Sequence, residues 1–319
     1  MKKRFTALAV IALAASLLLT ACAPTSAQID AEETATPNAT QTNAPPTESI
    51  AADSSVTPAT ASAEDLDSGW DRDAATKITL NGASASIDGA GANADGSVVT
   101  ISAAGTYVVS GTLADGQIAV AATNADTVRL VLDGASVTNK RGAAIYASQC
   151  DKLIITLADG TENAVTDGGD GFAYADEAEQ EPNAALFSKD DLTINGTGSL
   201  TVNAGFNNGI GTKDDLLIVS GSFNVTAANN GLRGNDSVTV LGGGFTIRAD
   251  GDGIQSSNAE DAEKGVVELQ GGTFTVTAAN DGIQAANALV IFGGSFDITT
   301  GGGSANAPVR EEDFGGGRG

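Results

Sequence analysis

Apolar and polar residues alternate in short runs along much of the chain, and between Asn183 and Ile298 these runs repeat. The first apolar anchors of successive repeats are Leu186, Ile210, Leu232, Ile254 and Ile283, with steps of 24, 22, 22 and 29 residues. The long step is one 22-residue unit plus seven residues around Ala259–Gly265. A second column, Leu192, Leu216, Val238, Val267 and Leu289, has the same set of steps, and a third, Leu200, Phe223, Phe245, Phe274 and Phe296, follows to within a residue. Pieces such as GIQA, ALVIF and SFDIT alternate at period two, the mark of a half-buried strand. Gly, Asn and Asp punctuate them. Three short strands per unit at a period in the low twenties predict an all-β solenoid, a parallel β-helix of three-strand coils of about 22 residues. Leucine-rich repeats share the period, but their leucine spacing is absent. The lack of a 3.6-residue apolar period and the 40 glycines exclude helical repeats. The phenylalanine column is expected inside the coils.

The rest of the chain is ordered around this repeat. Residues 1–21 join a basic start, MKKRF, to an apolar run and small residues, the pattern of a secretory signal. Leu19-Thr20-Ala21-Cys22 matches a bacterial lipobox, which predicts lipidation of Cys22 and anchoring to the extracellular face of the cell membrane. Residues 22–69 are rich in Thr, Ala, Pro and Ser and predict an unfolded tether. Residues 70–300 are assigned to the β-helix, with 70–165 as its less regular first coils and cap. Terminal repeats depart from the pattern because one face must be shielded. Residues 166–182, TDGGDGFAYADEAEQEP, interrupt the coils as an acidic excursion, a lid or a calcium loop without EF-hand spacing. Residues 301–319 form a Gly-rich tail.

Charge and composition narrow the chemistry. The formal net charge of −24 disfavours nucleic acid and anionic membranes as partners. The chain has no His, which removes the commonest general base and metal ligand. With Cys22 committed to the anchor, Cys150 stands alone, so no internal disulfide is expected. Without a basic partner it reads as a buried small residue. Aromatics make up only 4% of the chain, so no sugar-stacking platform is legible. Trp70, Tyr107, Tyr146 and Tyr174 are the few with a polar tip.

The segment EPNAALFSKDDLTINGTGSLTV, Glu181–Val202, and its echo GIGTKDDLLIVSGSF, Gly209–Phe223, resemble a family of bacterial carbohydrate-binding β-helix proteins related in fold to pectate lyases. The likeness runs from about Thr106 to Thr300. It implies a right-handed three-sided β-helix, bound calcium, and binding of plant-wall polysaccharides, including acidic ones such as polygalacturonate. In pectate-lyase-like folds the strand face that carries GIQ here commonly binds sugar. Its outward residues Lys189, Lys213, Arg233, Asn235, Gln255 and Gln284 are therefore the candidate carbohydrate-binding set.

The columns carry chemistry of their own. Asn183, Asn207, Asn229 and Asn280 recur three residues before the anchors, and Asn208, Asn230, Asp252 and Asp281 two before. Stacked amides pass hydrogen bonds from coil to coil, so a structural ladder is expected. Asp190, Asp214 and Asp236 recur four residues after the anchors, about 4.8 Å apart, with Asp191 and Asp215 beside two of them. Stacked like charges repel. Turn N–H donors, Lys189 and Lys213, or a hard cation must offset them, and an oxygen-only cluster suits calcium. Asp190, Asp191, Asp214, Asp215, Asp236, Asp252 and Asp281 are the candidate ligands. Three functions compete: a monomeric surface-anchored polysaccharide binder, a calcium-dependent polysaccharide lyase using Lys213 or Arg233 as base, and a structural adhesin. The first fits the tether, the anchor and the polar face together.

Overall fold

The computed structural model describes residues 57–301. The signal segment with Cys22, most of the tether and the Gly-rich tail lie outside the described residues.

The chain winds into a parallel β-helix. Its first face stacks Ile145–Gln149, Ala184–Ser188, Asn208–Thr212, Leu232–Gly234, Ile254–Ser256 and Ile283–Ala285. The second stacks Lys152–Leu157, Asp191–Gly196, Asp215–Ile218, Ser237–Val240, Val266–Leu269 and Ala288–Ile291. The third stacks Glu162–Thr166, Ser199–Ala204, Ser222–Ala227, Gly244–Ala249, Thr273–Ala278 and Ser295–Thr300. The second and third faces join upstream in one long strand, Thr127–Thr138, which turns the corner between them.

Register follows the anchor columns. Ile210 pairs with Leu186 and Leu232, and Ile254 with Leu232 and Ile283. Leu216 pairs with Leu192 and Val238, and Phe245 with Phe223 and Phe274. All point inward, where burying each side chain contributes about 1.5–3 kcal/mol. A slip of one residue would turn every anchor out to water, which fixes the register. The phenylalanines stack inside as expected, with centroids 4.9, 4.7 and 4.9 Å apart from Phe223 to Phe296 and planes within 6°. Cys150 is fully buried, and burial pushes its thiol up to about 12.

The N-terminal end departs from the coil pattern. Thr76–Gly82 pairs antiparallel with Ala85–Asp88, and Ala92–Asp95 antiparallel with Val98–Ile101. These antiparallel pieces cover the first parallel edges. At the other end Leu289, Ile291, Phe292 and Ile298 of the last described coil are exposed.

One boundary differs from expectation. The tether was expected to run to residue 69, yet residues 58–69 are ordered and lie along the outer side of the second face. Ala59 bonds Glu268 and Gln270 at one end, and the carbonyls of Glu64 and Asp67 accept from Arg129 at the other. Between them Ala63–Leu66 makes one helical turn, closed by a Ser62/Asp65 capping box. The strap contains almost no large apolar residue, so composition gave it no reason to fold. Its order comes from polar contacts, chiefly Asp65, which is 2% exposed.

Candidate functional site

The turns joining third face to first face stack into a corner, and this corner bears a cleft of about 360 Å³. The asparagine columns build it. The inner column is the expected ladder: Asn230 Nδ2 donates to Asn208 Oδ1 at 3.0 Å, and Asn230 Oδ1 accepts the Asp252 amide at 2.8 Å. Asn208 Nδ2 continues it to the Asn183 carbonyl at 2.9 Å. These residues are buried, so their amides satisfy one another and the turn backbone. The outer column, Asn183, Asn207, Asn229 and Asn280, lines the cleft wall. Asn229 Nδ2 reaches Asn207 Oδ1 at 2.8 Å. Gly251 stands in this column where the pattern has Asn. A Cβ there would collide with Asn229 Oδ1 and Asn230 Oδ1, so the coil accepts glycine beside these lining amides.

The first face supplies the far wall. Its outward column runs Ala119, Tyr146, Phe187, Gly211, Arg233, Gln255 and Gln284, one residue per coil. Arg233 Nε donates to Gln255 Oε1 at 3.2 Å and Arg233 Nη2 to Ser257 Oγ at 2.9 Å. Gln255 Nε2 in turn donates to Asp252 Oδ2 at 2.6 Å. Burial works against the Arg233 charge and lowers its pKa from the usual value. The cleft thus offers fixed amide donors and acceptors and one guanidinium set against one carboxylate.

The six residues proposed for sugar contact fall into four places. Arg233 and Gln255 line the cleft. Gln284 continues their column on the last described coil, while Asn235, two residues past Arg233 on the same coil, bonds Asp236 and Ser257. Lys189 and Lys213 serve a different end. Glu181, at the close of the acidic excursion, is 2% exposed and ion-paired to Lys189 at 2.9 Å and Lys213 at 2.5 Å. Lys213 also meets Glu179 at 3.2 Å. The excursion, reversed by an Asp176–Glu181 bridge, is thereby clamped over Tyr146 and Phe187, which are buried with Ala143 and Ala184. The hydrogen bond that each lysine donates to Glu181 raises the pKa of both. Lys213, held protonated, is a poor base for proton abstraction.

The seven aspartates do not form one cage. Asp190 accepts from the Cys150 amide at 3.1 Å. Asp236 accepts from Asn258 and Lys264, and Ser237 donates to Asp215 at 2.7 Å. Asp252 accepts the Asp281 amide at 3.0 Å at the cleft corner, away from the others. Among the described residues no three His, Cys, Asp or Glu side chains converge to hold a metal ion. The described carboxylates by themselves thus assemble no calcium shell. The coil repeat stacks the acids along the solenoid, whereas a six- to eight-oxygen shell needs them to converge. Their repulsion is met by turn donors, by Lys264 and by protons. Burial, then Asp215, pushes Asp191 up to about 7. Burial, then Asp236 and Asp190, raises Asp214.

Sequence reasoning missed two parts of the site. The outer asparagines were assigned to the ladder alone, because column position does not show which amides face water. An aromatic cluster was also missed. Phe172 and Tyr174 of the excursion meet Phe206, the residue just before Asn207. Only folding joins residues that lie more than thirty positions apart.

The fold and the site together define a parallel β-helix with a polar cleft along one corner. The chain is a member of the carbohydrate-binding domain-containing protein family, which it matches over residues 95–319. A carbohydrate-binding domain-containing protein of Acetivibrio thermocellus is 46% identical over 129 residues, covering 40% of this chain and 45% of that protein. The match thus spans less than half of that relative's length. Among solved structures, a gadolinium derivative of a polysaccharide lyase-like protein from C. thermocellum is 40% identical, with a TM-score of 0.64. That likeness covers 72% of this chain and 95% of the other.

Proposed function

We propose that the chain is a noncatalytic polysaccharide-binding protein that takes a neutral glycan in the amide-lined corner cleft. The observation that carries this reading is the lining: asparagine and glutamine side chains, with Arg233 balanced by Asp252. Amides both donate and accept, which matches sugar hydroxyls. An acidic polysaccharide would meet no net positive charge there and a protein of charge −24 around it. Family membership supports carbohydrate as the ligand class. The lipobox at Cys22 and the Thr/Pro-rich segment after it support display from a lipid anchor on the outer cell surface.

The test is a polysaccharide array probed with purified protein, with and without EDTA. Retention on a neutral glycan in both conditions, weakened by Arg233→Ala or Asn229→Ala, supports the reading. Retention only on polygalacturonate, or the growth of ultraviolet-absorbing unsaturated product from it, would overturn it.

A further inference from the structure

Next in the chain to Asn207 of the cleft wall stands Phe206, part of an aromatic cluster that the excursion and one atypical turn assemble. Phe172 and Phe206 stack with centroids 4.2 Å apart and planes 7° apart, and Tyr174 packs edge-on against both. All three rings are only half-buried. Asp167, 7% exposed, sets the geometry: its carboxylate accepts from Gly169 at 2.9 Å, Gly205 at 2.8 Å and Phe206 at 3.4 Å. The turn bearing Phe206 holds one residue more than the same turn of the next coil, where only Ala228 stands between Ala227 and Asn229. That position is exposed and carries a methyl group alone. A half-exposed, rigidly held aromatic group beside a polar cleft is unusual for a solvated surface. It offers what the cleft lacks, an apolar face.

Resting on the reading of the cleft as a glycan site, we propose that Phe206, supported by Phe172 and Tyr174, is its stacking subsite. The ligand is an extended neutral chain of hexopyranoses with equatorial hydroxyls, lying along the solenoid axis with one ring per coil. Such rings present axial C–H bonds on one face, which pack on an aromatic ring, and hydroxyls at the rim, which suit amides. The outer amides recur at the coil spacing of about 4.8 Å, close to the length of one pyranose unit. From the coil of Asn183 to that of Asn280 is four such spacings, about 20 Å, or roughly four rings.

The test is isothermal titration calorimetry on the full chain with cello-oligosaccharides of three to six units. Affinity is expected to rise to about four or five units and then level. Phe206→Ala should weaken hexasaccharide binding roughly tenfold and remove one step of the length dependence, while Phe206→Tyr retains it. Circular dichroism and the melting temperature of both variants check the fold. If Phe206→Ala and Tyr174→Ala bind like the parent while Arg233→Ala does not, the platform is wrong and the cleft reading stands. Equal affinity for all lengths overturns the axial arrangement. If the parent binds none of these oligosaccharides, both proposals fall.

Discussion

The Asp65 carboxylate lies 2.9 Å from the Lys152 ammonium, across 87 residues of chain, and also accepts from Thr193 at 2.7 Å. This contact holds the strap of residues 58–69 to the second face. Burial works to raise the Asp65 pKa, but hydrogen bonds from Ser62, Lys152 and Thr193 together bring it below the ordinary carboxylate value. A depressed carboxylate contributes stability above its unfolded pKa and loses it as pH falls through the folded one. The strap is therefore expected to loosen in acid, below about pH 4. Asp65→Asn should expose residues 58–69 to limited proteolysis at neutral pH, with the coils remaining intact. Equal protection in the variant would show that the strap is held by something else.

Asp191 has the opposite sense. A carboxylate raised in the folded state binds a proton that the unfolded chain does not, so stability falls as pH rises from about 4 to about 7. Asp191→Asn keeps the shape and removes the repulsion. It should raise the melting temperature at pH 8 by about 2–4 °C, the shift expected from about 1 kcal/mol after solvent screening. The gain should shrink towards pH 5, where Asp191 is already protonated.

The asparagine columns predict a division of labour. Asn230 is 5% exposed and serves two hydrogen bonds of the inner ladder and one to Gln255, so Asn230→Ala should cost about 1–3 kcal/mol in denaturant unfolding. Asn229, in the outer column and exposed, should leave stability within about 0.5 kcal/mol when changed to Ala while weakening glycan retention. Matching losses in both assays for both variants would contradict the split.

The phenylalanine stack forms one inward column of the third-face core. Phe245 is 3% exposed and sandwiched between Phe223 and Phe274. Phe245→Ala should cost about 3–5 kcal/mol, and Phe245→Leu clearly less. Urea unfolding followed by circular dichroism measures both.

Chelation separates the carboxylate arrangement from a metal site. Because the aspartates are satisfied by turn amides, Lys264 and protons, EDTA should change neither the melting temperature nor glycan retention. A fall in either would show that a cation joins the Asp column.

The sequence alone determined the solenoid, its period, its three inward columns and the asparagine ladder. Inward anchors must recur once per coil, and so burial leaves a one-dimensional record that can be read by laying the coils over one another. The same record made Asp190, Asp214 and Asp236 neighbours, and neighbours they are. Only the tertiary structure decided what those neighbours do. Whether a carboxylate meets a turn amide, a lysine or a metal depends on side-chain direction within one turn, which periodicity does not encode. It also decided the fate of the segments outside the repeat. Glu181 pairs with Lys189 and Lys213, Asp65 pins a strap that composition reads as tether, and the excursion carries Phe172 and Tyr174 to Phe206. These contacts join distant parts of the chain through a few polar or aromatic groups, and a few groups leave no periodic trace.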